Sequence, residues 1–221
     1  SLPVPTFEQI ANLIGDDLLM IAGGHDGQNP LASTLIYDSK VDVWTYSLDM
    51  SVPRTKHVST VLSDDRIFVH GGLNNSGILD HAEIYEPASE QWISSNSSFL
   101  PRIGHSVTTL NDGKVLIVGG HISEEALEEN SEDLCHFFVR DIYMGTPDKR
   151  HDCEDGWVVT EIYDPSSDTS KISTHLITPR WKHTATLLDD GKVLVVGGTN
   201  NSSSILEAEI FDPSTETWTA V

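Results

Sequence analysis

The stretch Pro101–Gly120, PRIGHSVTTLNDGKVLIVGG, recurs almost in frame at Pro53–Gly72 and Pro179–Gly198. Repetition on this scale constrains the fold, because each copy must bury its faces against its neighbours. Within the unit a short β-rich segment, His105 to Leu110, turns at Asp112-Gly113 and returns as the apolar run Val115 to Val118. Asp-Gly supplies the positive φ angles of a tight two-residue hairpin turn, and a run this short between glycines is not a buried helix. The unit is therefore read as a β-hairpin. It ends in Gly119-Gly120, which predicts a sharp bend or a backbone approach too close for a Cβ.

Three landmarks superimpose along the chain. Glycine pairs close at Gly24, Gly72, Gly120 and Gly198. Strand-like IYD, IYE, IYD and IFD follow, with aromatics at Tyr37, Tyr85, Tyr163 and Phe211, and Trp44, Trp92 and Trp218 lie seven residues beyond their aromatics. The glycine pairs are 48, 48 and 78 residues apart. A period of 48 with four strand signals is a β-propeller period, since a four-stranded sheet cannot cover its own faces and must stack on neighbours around an axis. The expected fold is all-β: one propeller domain over residues 1–221, with four-stranded blades at about 5–52, 53–100, 101–178 and 179–221. The first blade is degenerate, with Pro5-Thr6-Phe7-Glu8-Gln9 where the second has Pro53-Arg54-Thr55-Lys56-His57.

The third blade carries the extra length. Glu161 lies 41 residues beyond Gly120, whereas Glu83 lies 11 beyond Gly72, so 30 residues are inserted within 121–157. Ser123 followed by EEALEEN predicts an N-capped helix with an acidic first turn, making the insertion partly helical. Leu134, Phe137, Phe138 and Tyr143 form an apolar set that either packs on this blade's own surface or serves as a lid or docking arm. The only two cysteines, Cys135 and Cys153, both lie here. A disulfide between them is the natural reading, worth about 3 kcal/mol in the chain-entropy picture.

Net charge is −21, with 34 acidic against 13 basic residues. That field repels phosphate backbones and anionic lipid, which argues against nucleic acid as a partner. It leaves cationic or neutral partners, or a plain solubility role. No apolar run approaches a membrane span, so no membrane insertion is expected. Sequons begin at Asn74, Asn96, Asn200 and Asn201, each in a stretch read as a turn or exposed strand. Together with the cysteines they favour a secreted glycoprotein, the alternative being a cytoplasmic one. No signal peptide is visible ahead of Ser1, though one removed in maturation fits this reading.

The Pro-Arg-x-x-His opening, the double glycine, Glu-x-Tyr-Asp-Pro and the tryptophan seven positions after the tyrosine together resemble the Kelch repeat family. The resemblance covers nearly everything outside 121–157 and implies a propeller whose first strand in each blade lines the central channel. Blade one departs from the pattern by lacking the Arg, His, Glu and Pro, and blade three has Ser170 in place of the tryptophan. Kelch propellers usually have five to seven blades. Four leaves three routes open: a small ring, a homo-oligomer, or further blades from a missing segment or another chain.

Arg54, Arg102 and Arg180 open strands in the blades that also have Glu83, Glu161 and Glu209, while blade one has lost both, with Thr6 and Leu35 at the matching places. This internal covariation predicts a charge-assisted bridge within each blade and removes the arginines from the candidate ligands. His57, His105 and His183 recur in one slot, which predicts a fold role such as a hydrogen bond to the neighbouring blade. His25 and His121 differ, because each follows a glycine pair where the other blades have Leu73 and Thr199. Non-repeated residues on a repeated scaffold are where function is grafted.

By position, the resemblance implies a partner-binding rim at Glu8, Lys56, Gly104 and Lys182. The rim continues through His25, Leu73, His121 and Thr199 to Asn75, Ser123 and Asn201. Trp181, beside Lys182, is either a stacking platform for a sugar or aromatic ligand or a cover for a blade joint. His25, Lys56, Asn75, His121, Trp181, Lys182 and Asn201 are thus the candidate ligand-binding residues, with no cofactor or metal expected. Kelch-like propellers also include copper radical oxidases and sugar epimerases. The oxidase needs a cysteine joined to a tyrosine, which the paired use of Cys135 and Cys153 disfavours, and no Ser/His/Asp order, HExxH, CxxC or phosphate loop is present. The expected function is an extracellular module binding a protein segment or glycan at the rim. The alternatives are an extracellular carbohydrate-active enzyme using His25 or His121, and a structural part of a larger propeller.

Overall fold

The computed structural model describes residues 2–95, 99–122, 158–200 and 203–221. Four antiparallel four-stranded sheets follow one another along the chain. The first is β1 (Ile10–Ile14), β2 (Leu18–Ala22), β3 (Thr34–Asp38) and β4 (Val43–Tyr46), in sequence order. The second is β5 (Val58–Val61), β6 (Ile67–His70), β9 (Ala82–Glu86) and β10 (Gln91–Ser94), with the small hairpin β7 (Leu73–Asn74) and β8 (Gly77–Ile78) between its middle strands. The third is β12 (Ser106–Thr109), β13 (Val115–Val118), β15 (Thr160–Asp164) and β16 (Thr169–Ile172), accompanied by the two-residue strands β11 (Arg102–Ile103) and β14 (His121–Ile122). The fourth is β17 (Thr184–Leu187), β18 (Val193–Val196), β19 (Ala208–Asp212) and β20 (Thr217–Ala220). This is a β-propeller of four-stranded blades, as the repeat spacing predicts. The expected helix capped by Ser123 and the Cys135–Cys153 pairing lie outside the described residues, as do Asn96 and Asn201.

Strand alternation explains why the blades stack. In β13, Val115 and Ile117 point to blade two while Leu116 and Val118 point to blade four, and all four are buried. A run buried on both faces must be aliphatic throughout, which is why VLIV reads as continuous rather than alternating. Three interblade cores result. Blades one and two enclose Met20, Ala22, Met50, Ile67, Val69 and Tyr85. Blades two and three enclose Leu62, Phe68, Ile84, Phe99, Ile117 and Tyr163, and blades three and four Leu116, Val118, Ile162, Leu176, Val195 and Phe211. Among the described residues four blades share three cores, so blade four's far side has no partner: Val196 is 42% exposed where its counterpart Val118 is 1% exposed.

The outer strands obey one rule. Across β3–β4, β9–β10 and β19–β20 the aromatic faces the tryptophan, with ring centroids 5.1 Å apart for Tyr37–Trp44, 5.0 Å for Tyr85–Trp92 and 5.1 Å for Phe211–Trp218. In blade three Tyr163 faces Ser170 instead.

The hairpin turn differs from the two-residue form expected at Asp112-Gly113. The last β12–β13 pair is Thr109–Val115, and the loop is closed by Leu110 N–H to Lys114 O at 2.8 Å and Gly113 N–H to Leu110 O at 3.0 Å. Only Gly113 is left-handed, at φ 84°, and Asp112 instead accepts Lys114 N–H with its side chain. A single left-handed residue closes this wider turn, which is why non-glycine Asp65, φ 66°, serves at the same place in blade two.

Candidate ligand-binding rim

Each blade opens with a residue pair that bridges to the residue after the glycine pair. Phe7 pairs with His25, Thr55 with Leu73, Ile103 with His121 and Trp181 with Thr199. The four bridges therefore lie at one end of the blades, and next to each stands a left-handed residue: Glu8 at φ 57°, Lys56 at 56°, Gly104 at 64° and Lys182 at 54°. A position that forces this conformation in every blade aims the following side chain inward, and His57, His105 and His183 are indeed buried. The left-handed residues themselves stay at the surface, and Glu8, Lys56 and Lys182 are exposed.

The rim joins blade to blade. Thr55 Oγ1 donates to Glu8 Oε2 at 2.8 Å, and Lys182 N–H donates to the Gly104 carbonyl at 2.7 Å. A Cβ on Gly104 would stand 3.1 Å from the Trp181 ring, so glycine appears here because the next blade brings a tryptophan. Lys182 Nζ lies 4.3 Å from the centre of that ring, and His121 lies 6.1 Å from it on the other blade. The structure thus brings His121, Trp181 and Lys182 together at the joint of blades three and four. Trp181 is half-buried and does cover this joint, while its flanks carry the two polar groups.

His25 and Phe7 form a separate ring pair, 5.3 Å apart, on blade one. His25 Nδ1 accepts Gly27 N–H at 2.9 Å, fixing the loop that Asp26 also caps through Gln28 and Asn29. Lys56 sits on blade two, and exposed Asn75 lies in the β7–β8 turn, where Asn74 Oδ1 accepts Ser76 N–H. The Asn200 side chain accepts Ser203 N–H in the matching loop of blade four. A shallow cavity at the outer edge of blade one, lined by Leu18, Ile36, Val43, Tyr46 and Glu90, lies at the other end of β2 from His25.

The buried polar groups behind the rim are structural. Arg54 Nη2 donates to Glu83 Oε1 at 2.8 Å, and Nη1 to the carbonyls of Gly71 at 3.0 Å and His81 at 2.8 Å. Arg180 repeats this with Glu209, Gly197 and Glu207, and Arg102 with Glu161, Gly119 and Val159. Glu83 in turn accepts the N–H groups of Ser51 at 2.7 Å and Val52 at 3.3 Å, and Glu209 those of Ile177 and Thr178. The Arg54–Glu83 and Arg180–Glu209 pairs therefore tie their own blade to the segment arriving from the previous one. In blade one Thr6 makes only a long contact, 3.5 Å, to the Gly23 carbonyl.

The repeated histidines grip the preceding blade, as their recurrence predicts. His57 Nε2 meets the Ala22 carbonyl at 3.1 Å, and His183 Nε2 meets Ser106 Oγ at 2.8 Å. His105 Nε2 is instead hydrogen-bonded to His70 Nδ1 at 2.8 Å, with both rings buried. Sequence reasoning did not single out His70. Its signal was present, because the other blades have Ala22, Val118 or Val196 at that strand end. Burial, with nearby arginines adding to it, holds the His57 imidazole down at about 3 and His183 at about 4. Burial likewise pushes His70 and His105 well below the ordinary value, so all four are neutral at pH 7. Among the described residues no group of three His, Cys, Asp or Glu side chains is placed to hold a metal.

No curated protein matches this sequence. The solved structure of YjhT is similar to it over 99% of this chain, with a TM-score of 0.73 and 18% sequence identity, and this chain spans 66% of YjhT's length. The Kelch motif matches residues 11–51, 54–97 and 180–221, which correspond to blades one, two and four and leave the interrupted third unmatched. With the Arg–Glu pairs in blades two to four, the glycine corners in all four and the tryptophans in blades one, two and four, the chain belongs to the Kelch motif family.

Proposed function

We propose that this chain is an extracellular binding module that recognises a protein segment or glycan on the rim formed by the strand-opening turns and the loops after the glycine pairs. The observation that carries the reading is the joint of blades three and four. There Trp181, unmatched in the other blades, presents a half-buried ring between His121 and Lys182 on a scaffold otherwise built by repetition. A rigid aromatic flanked by a cation and an imidazole stacks on a sugar ring or an aromatic side chain, and its neighbours donate hydrogen bonds to the ligand's edge. Lys56 and Asn75 extend the surface across blade two.

The test is capture on a glycan array and from a displayed peptide library, followed by affinity measurement. Trp181→Ala should weaken binding of a captured ligand by about tenfold or more, with the protein still folded at the assay temperature. Unchanged affinity in Trp181→Ala would remove the rim assignment. The extracellular part of the reading rests on Cys135, Cys153 and the sequons at Asn74, Asn96, Asn200 and Asn201. Protein secreted from eukaryotic cells should show the two cysteines joined in non-reducing peptide mapping, and two free thiols would defeat it.

A further inference from the structure

At the end of the blades away from the rim the repeat places a cation beside an acid, and blade one breaks the pattern. The residue before the second apolar strand is Arg66 in blade two, Lys114 in blade three and Lys192 in blade four, each across from the acid that ends the third strand, Glu86, Asp164 or Asp212. Lys192 Nζ lies 3.3 Å from Asp212 Oδ2. Arg66, bound to Asp64, also lies in the field of Glu86, and Lys114, bound to Asp112, in those of Asp164 and Glu216. Blade one keeps the acid, Asp38, but sets Leu18 across from it. Asp38 Oδ1 accepts the backbone N–H of Lys40 at 2.8 Å, while the Lys40 ammonium is bound to Asp17.

A second carboxylate at the same joint is also left over. Asp42, Glu90, Asp168 and Glu216 occupy one left-handed slot in the outer turns, at φ 57°, 57°, 51° and 51°. Between blades two and three, Asp168 receives the hydroxyls of Ser95 and, at 2.9 Å, Tyr163. Between blades three and four, Glu216 receives Lys171 Nζ at 2.6 Å and Ser173 Oγ at 2.8 Å. Between blades one and two, Ser47 Oγ meets the Tyr85 hydroxyl at 2.9 Å instead, and Thr45 stands where blade three has Lys171. Among the described residues Glu90 therefore has neither a donor nor a cation. Leu18, Ile36, Val41 and Val43 line a cavity of about 300 Å³ together with Asp38 and Glu90, a size at the lower end for small-ligand sites. Val41 and Val43 are exposed, and the other blades place Ser89 and Gln91, Ser167 and Thr169, or Thr215 and Thr217 there. Apolar side chains thus stand in solvent at the joint whose carboxylates lack a cation.

We propose that this crevice between blades one and two docks a lysine side chain carried by an extended segment of a partner protein. Charge complementarity over an apolar wall selects that occupant. The methylene stem lies along Leu18, Ile36 and Val43, and the ammonium is held by Glu90 and Asp38, as Glu216 holds Lys171 within the molecule itself. The cavity lies along β4, the edge strand of its sheet, so the segment can run extended beside it. In an extended segment the residues two before and two after the lysine share its face. Apolar side chains at those places cover Val41 and Tyr46, which are 63% and 61% exposed. The crevice and the rim are separate, so either proposal survives failure of the other.

The test titrates the isotope-labelled chain with the peptide acetyl-Val-Ala-Lys-Ala-Val-amide and follows its backbone amides by NMR. The amides of Leu18, Val43 and Glu90 should shift together and saturate, while those around Lys171 and Glu216 stay in place. The peptide should bind about tenfold more tightly than n-butylammonium, through its two valines. Glu90→Gln, which keeps the shape of an exposed side chain, should weaken binding about fivefold. Leu18→Lys, which gives blade one the residue that blades three and four carry, should fill the crevice from within and abolish the shifts. Three results would overturn the proposal. Equal binding of the peptide with norleucine for lysine would show that the charge is not read. Cadaverine binding as tightly as the peptide would assign the site to a free polyamine, and shifts of equal size at Lys171 would mean general attraction to an acidic protein.

Discussion

Acidification from pH 7 to about 4 is expected to unfold this protein, and the cause is the row of imidazoles buried at the blade joints. In the unfolded chain these groups take protons near the ordinary value of 6.5, whereas His183 does so only at about 4 and His57 at about 3 when folded. The unfolded state therefore binds more protons throughout that window. Stability is intact above 6.5 and falls as the pH drops towards the folded values. His183 alone loses about 3 kcal/mol across its window, and His57, His70 and His105 add to it. Their sum is comparable with the ~5–15 kcal/mol of a typical domain. Urea unfolding at stepped pH measures the effect, and a midpoint that stays constant from pH 7 to about 4 would contradict it. His70→Val, which installs the residue blade three carries at that strand end, should flatten the profile, because it removes one imidazole and one like-charge neighbour of His105.

Glu83→Ala should be the most damaging single substitution that leaves every apolar core untouched. Arg54 and Glu83 are both wholly buried, and the carboxylate also receives the backbone N–H groups of Ser51 and Val52. Removing it leaves a buried guanidinium without its counter-charge, and Arg54 Nη2 and two backbone amides without their acceptor, a loss of about 3–5 kcal/mol. The double variant Arg54→Thr/Glu83→Leu, which gives blade two the residues of blade one, should lose less than the sum of its single changes, since no charge is then stranded. Additive losses in a denaturation cycle would show that the two residues do not act as a pair. Blade one already demonstrates that a blade folds around Thr6 and Leu35, its sheet having the same order and register as the others.

Most of the fold was legible because a repeat compares a sequence with itself. The covariation of Arg with Glu across blades predicted pairs that the structure places at 2.8 Å in blades two and four. The recurrence of histidine in one slot predicted a joint between blades. The partner atoms were not legible, since His57, His105 and His183 each find a different acceptor or donor: a carbonyl, another imidazole and a hydroxyl. The contact between Gly104 and Trp181 was also missed. Its signal was that the one blade with glycine in the left-handed slot precedes the one blade opening with tryptophan, a correlation between neighbouring repeats rather than within one. The turn at Asp112 was misread because Asp-Gly fits both a two-residue hairpin turn and a wider loop with one left-handed residue.

Blade number, strand order and the division between scaffold and variable residues follow from the repeat alone, because strand alternation and glycine corners are local properties of a chain. Which faces are covered, and which non-repeated residues meet, is decided only in three dimensions. His121 and Trp181 lie far apart in sequence yet face each other across a blade joint. Val118 and Val196 occupy the same place in the repeat, and one is sealed while the other is open. Burial depends on what stacks against a blade, and no residue's identity encodes whether its neighbour is there.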